Sequence, residues 1–170
     1  MNTTARVLLA AAIAVGLAAC SKQVKEEPRV EPTPEAPRTQ PVSDGRYTPE
    51  DLDRDSCLRQ RVVYFDFDRD NLKPEFQAIM NCHAKYLRDR PSARITLEGH
   101  ADERGSREYN LGLGERRGNS VQSALTAAGG SSSQLTVVSY GEERPTCNVS
   151  AESCWSQNRR AVTALGGASM

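Results

Sequence analysis

A chain of 170 residues with 22 basic and 22 acidic side chains and zero formal charge is sized for one domain. That balance argues against a general nucleic-acid binder, which needs a basic surface to neutralise phosphates. An aromatic content of 5% argues equally against base-stacking platforms. The unusual figure is five cysteines, an odd count.

The N-terminus reads as an export signal. Arg6 supplies a positive charge, and the apolar run from Val7 to Val15 is too short to cross about 30 Å of hydrocarbon as a helix. Leu17-Ala18-Ala19-Cys20 then resembles the lipobox of bacterial lipoproteins. That resemblance implies a signal peptide over residues 1–19, cleavage before Cys20, and acylation of Cys20 by three chains, which anchor far more firmly than one. Ser21 stands where the sorting pattern would use Asp to keep a lipoprotein at the inner membrane, so the outer membrane is expected. From Ser21 to Pro49 the chain carries prolines at 28, 32, 34, 37, 41 and 49 among charged residues, with almost nothing large and apolar to bury. A semi-extended tether is predicted over residues 20–56, followed by a folded domain over 57–165 and a short tail over 166–170.

Without Cys20 the cysteines number four: Cys57, Cys82, Cys147 and Cys154. Exported proteins retain disulfides, and three pairings are open. Cys147 with Cys154 is favoured because both lie in one Gly/Pro-flanked loop, which leaves Cys57 with Cys82. The absence of a CxxC pair and the presence of only two histidines argue against zinc.

Val62 to Asp68 is a β-branched and aromatic strand ending in acids. Pro74 opens a helix in which Phe76, Ile79, Met80, His83, Ala84 and Leu87 share one face, and Pro91 stops it. His83 on that face reads as a core histidine. Arg94 to His100 alternates as a second strand, with Ile95, Leu97 and Gly99 inward. Ser106 is a good N-cap for a second helix ending at Gly129-Gly130. Leu135 to Tyr140 makes a third strand, Gly141 to Asn158 an irregular loop, and Arg160 to Leu165 a fourth strand. The order βαβαββ predicts a two-layer α/β sandwich with one core.

No catalytic set assembles. Asp66-Phe67-Asp68 at a strand end imitates a haloacid-dehalogenase phosphotransferase, but the residue two beyond the second acid is Asp70, not Thr or Val, and the chain is too short for that sheet. A calcium loop starting at Asp66 fails at Asn71, where Gly is needed, and at Gln77, where Glu is needed. His100-Ala101-Asp102 has no nucleophile placed beside it. A recognition site does assemble: Asp68 ends one strand, Asp102 and Arg104 follow the next, and Asn110, Leu113, Gly114 and Arg117 share a helix face. Amide groups at the helix start near Ser106 suit a carboxylate. With cationic and anionic ends, the complementary ligand is zwitterionic. Gly112, Gly114 and Gly118 each weaken the helix, which points to close approach of a ligand or of the sheet.

Val63 to Asp68, Glu98 to Gly105, Tyr109 to Arg117, Val138 to Gly141 and Asn158 to Val162 together resemble the peptidoglycan-associated lipoproteins of the OmpA-like C-terminal domain family over residues 62–165. The resemblance implies a protein that is not an enzyme, needs no cofactor, and binds the stem peptide of peptidoglycan at meso-diaminopimelate. Asp68 and Asp102 would face the ammonium group and Arg117 the carboxylate, with Phe67, Arg104, Ser106 and Leu113 lining the rest. It also implies attachment to the inner leaflet of the outer membrane and partnership with Tol proteins, TolB in particular. A wall-binding lipoprotein outside the Tol system would share nearly every site residue. Ser106 and Gly118 replace the family's usual Thr and Ala, and the cysteine-containing loop departs from its simplest members.

Overall fold

The computed structural model describes residues 44–165. The signal peptide, Cys20, most of the tether and the tail lie outside them. Four strands, β1 (Val62–Tyr64), β2 (Ile95–His100), β3 (Leu135–Gly141) and β4 (Arg160–Leu165), alternate with helices α2 (Gln77–Asp89), α3 (Arg107–Ala127) and α4 (Glu152–Asn158), after a single turn α1 (Asp51–Arg54). The sheet order is β1-β4-β2-β3; β4 runs antiparallel to both neighbours, and β2 and β3 are parallel. The expected two-layer α/β sandwich is therefore present, and the inward residues of β2 are Ile95, Leu97 and Gly99 as its alternation requires.

Three features differ from expectation. The first strand, expected to reach Asp68, stops at Tyr64, and Phe67 and Asp68 form a turn beyond it. The loop between β3 and β4 contains α4, whose seven residues bury only Cys154 and Asn158 and so give no apolar periodicity to read. Asn158 closes that loop: its Oδ1 accepts from the backbone N–H groups of Thr146 (2.9 Å) and Cys147 (3.2 Å), and its Nδ2 donates to the Cys147 carbonyl (2.8 Å). The packed unit also begins before residue 57. Tyr47 and Leu52 pack against the core, the Tyr47 N–H donates to Asp89 (2.9 Å), and Arg90 donates back to the Tyr47 carbonyl (2.8 Å). These two apolar side chains are enough to dock the segment that composition assigned to the tether.

Both favoured disulfides are formed, Cys57–Cys82 spanning 25 residues and Cys147–Cys154 spanning 7. In the chain-entropy account they contribute about 3.5 and about 2 kcal/mol. His83 is a fully buried core residue whose Nε2 meets the Gln60 carbonyl at 3.0 Å.

The glycines of α3 have a packing explanation. A Cβ on Gly114 would lie 2.4 Å from Ser139 Oγ and 2.8 Å from the Gly99 carbonyl oxygen, and one on Gly118 would lie 2.6 Å from Val137. Backbone thus rests on backbone where α3 crosses β2 and β3. That close approach brings the first turns of α3 down to the carboxyl end of β2. Gly112, on the outer face, has room for a side chain.

Candidate ligand site

At this junction lies a cavity of about 210 Å³ walled by Phe67, Asp68, Asp102, Arg104, Asn110, Leu113 and Arg117, together with Gly105, Tyr109 and Arg159. Its floor is Arg117, a fully buried side chain. Nε donates to the Arg69 carbonyl (2.8 Å), Nη1 to that of His100 (2.7 Å) and Nη2 to that of Asp66 (3.2 Å). Three of the five guanidinium N–H groups are used in this way, and the other two have no hydrogen-bond partner among the described residues. Burial pushes the Arg117 pKa down to about 10, which leaves the group charged at neutral pH.

Asp102 is buried beside it, joined to arginine on both sides. Arg104 donates through Nε (3.1 Å) and Nη2 (2.6 Å), and Arg159 through Nη1 (3.2 Å). Burial alone would raise the Asp102 pKa, but hydrogen bonds from Arg104 and Arg159 outweigh it and hold the carboxyl below its usual range. Asp102 therefore organises cations as well as supplying negative charge. The other acid, Asp68, has φ 55°, a left-handed conformation that Asp tolerates better than most residues, and accepts a hydrogen bond from the Tyr109 hydroxyl. Its carboxylate is the more accessible anionic group of the site. Asn110, also buried, donates to the Arg104 carbonyl (3.2 Å) and to Glu142 (2.5 Å), fixing the turn that carries Arg104.

Ser106, the remaining predicted residue, caps α3 instead of lining the cavity: its Oγ accepts from the Tyr109 N–H at 3.2 Å. One of the helix-start amides expected to meet a carboxylate is thereby used internally. Sequence reasoning missed Tyr109 and Arg159. Tyr109 lies one helical turn before Leu113, a spacing that places both on one face. Arg159 is 5% exposed at the entry to β4, and no spacing rule marks it.

Asp66 and Asp68, the pair weighed as a phosphotransferase dyad, do not converge. Asp66 pairs with Lys73 at 2.8 Å beside a different cavity. Among the described residues no group of three or more His, Cys, Asp or Glu is placed to hold a metal ion.

The OmpA family model matches residues 64–160, more than half the sequence. The chain belongs to the OmpA family. Within it, the relatives carry the name peptidoglycan-associated lipoprotein: the Pasteurella multocida protein is 37% identical over 164 residues, covering 96% of this chain and 99% of that one. The Brucella melitensis protein is 45% identical over 106 residues, 62% of this chain and 63% of that one. The crystal structure of the peptidoglycan-associated lipoprotein from Burkholderia pseudomallei superposes with a TM-score of 0.66 at 41% identity, covering 68% of this chain and 98% of the other. The C-terminal domain of Helicobacter pylori MotB, 18% identical with a TM-score of 0.57 over 63% of this chain and 84% of that one, shares the fold.

Proposed function

We propose that the protein is a non-enzymatic lipoprotein of the outer membrane that grips the peptide stem of peptidoglycan without a covalent bond. The observation that carries this reading is the charge arrangement of one small cavity. Arg117 and Arg104 lie at its floor and rim, accessible Asp68 stands in its wall, and Leu113 gives it an apolar side. A ligand bearing carboxylate and ammonium on one carbon fits such a site, and meso-diaminopimelate with its free stereocentre is that ligand within a stem peptide. Asp68 would take the ammonium group, and the two uncommitted Arg117 N–H groups would take the carboxylate. Asp102 would contribute negative charge while holding Arg104 and Arg159.

The names of the relatives support the wall-binding and lipoprotein parts of the reading. Acylated Cys20 would sit in the inner leaflet of the outer membrane, with the tether spanning to the wall. Partnership with Tol proteins, including TolB, and a role in envelope integrity during constriction complete the proposal.

The test is co-sedimentation of the full chain with purified diaminopimelate-type and lysine-type sacculi. Asp68→Asn keeps the left-handed turn and removes only charge. Loss of one partner from a desolvated charge pair weakens binding at least about tenfold. Retention of the variant on diaminopimelate-type wall at the parent's level, or equal retention of the parent on both walls, would refute the assignment.

A further inference from the structure

The unexpected helix α4 does not line the cavity but packs behind its rim, against Arg104. The Arg104 guanidinium carbon lies 4.0 Å from the centre of the Phe67 ring and 4.2 Å from that of Trp155, so two aromatic rings pack on the cation. Trp155 is itself latched. Its indole Nε1 donates to Glu103 Oε1 at 3.0 Å, and Ser150 Oγ donates to the same oxygen at 2.6 Å. Between them the Cys147–Cys154 bond closes the loop one residue before Trp155. Glu103 adjoins Arg104 in sequence, so the latch ties the loop to the turn that carries the cation.

We propose that Trp155 is a specificity-determining positioning residue for this site. Arginine has many rotamers, and ordering it on binding subtracts from affinity. Here Asp102 takes Nε and Nη2, the Glu152 carboxylate lies 3.6 Å from Nη2, both rings pack on the guanidinium, and Nη1 has no hydrogen-bond partner among the described residues. The preset Nη1 donates to a ligand carboxylate, so the site discriminates a free carboxylate from its amide through Arg104 as well as through the floor. The inference rests on the reading of the site as a receptor for a zwitterionic amino-acid unit.

The experiment is calorimetric titration of the full chain with a tripeptide stem ending in meso-diaminopimelate and with the same peptide amidated at that residue. Trp155→Ala is expected to lower affinity for the free acid about tenfold and for the amide less than about twofold, narrowing the gap between them. Trp155→Phe keeps the ring while losing the Glu103 bond, and is expected to restore most of the discrimination. Equal losses for both peptides would assign Trp155 a merely structural role, and no loss for either would remove it from the site; both overturn the proposal. A parent chain that binds neither peptide would instead overturn the functional reading beneath it.

Discussion

Arg117 and Arg104 present the same guanidinium to one cavity, and their surroundings differ in almost every respect. Arg117 comes from the middle of a long helix, is fully buried, and is held by three backbone carbonyls from two different segments. Arg104 comes from a turn, remains partly exposed, and is held by side chains: Asp102, Phe67, Trp155 and, at 3.6 Å, Glu152. A cation fastened to backbone is a strut of the fold as much as a ligand group. One fastened to side chains is adjustable, because each of its supports can change without moving the chain.

The comparison breaks most visibly at the floor. Arg117→Ala leaves the buried His100 carbonyl and the part-buried carbonyls of Arg69 and Asp66 without their donor and is expected to cost about 3–5 kcal/mol in urea or thermal unfolding; a loss below about 1 kcal/mol would show that the guanidinium is no strut. Gly114→Ala attacks the same floor from the helix side. Its Cβ would meet Ser139 Oγ at 2.4 Å, and this overpacking is expected to cost about 1–3 kcal/mol, whereas Gly112→Ala at the open face should be neutral or stabilising by up to about 1 kcal/mol.

Acid should loosen the floor as well, because the carbonyl that takes Arg117 Nη1 belongs to His100. Burial, and then Arg160 and Arg144, push the His100 pKa down to about 3. A folded-state pKa below the unfolded value of about 6.5 means that the unfolded chain takes up the proton first. Stability should thus fall as pH drops below 6.5, by up to about 1.4 kcal/mol per unit from this residue, and buried His83 adds to the fall in the same direction. His100→Leu should flatten thermal midpoints measured from pH 7 to pH 5; an unchanged slope would clear His100 of the effect. The smallest effect on stability is expected at the rim, where Arg104→Ala should cost about 1 kcal/mol or less in the same assays while weakening ligand binding.

The floor was also the part most legible in sequence. Asn110, Leu113, Gly114 and Arg117 recur at helical spacing, and Asp102 follows β2 directly before the helix that packs on it, whereas Asp68 follows β1, which lies across β4 from β2. The rim was not legible. Trp155 and Glu152 lie on a helix with no apolar period, and Arg159 acts through contacts with Phe65 and Asp102, far away along the chain. Ser106 caps α3 as its residue type predicts, and for that reason it is not the wall residue that the resemblance implies. The docked segment before residue 57 was hidden because two apolar residues do not alter the composition of a proline-rich stretch.

The Cys57–Cys82 bond has a mechanical consequence. Pulling on the chain from residue 44 draws on Cys57, and from there a covalent route runs through Cys82 into α2 and onward to the turn bearing Asp102 and Arg104. Residues 58–81, which include the three-residue edge strand β1 and the turn holding Asp68, form a closed loop off that route and cannot be drawn out while the bond is intact. Force entering at residue 44 and leaving through Asp102, Arg104 or Arg117 thus bypasses the shortest strand, and only a grip on Phe67 or Asp68 loads the closed loop.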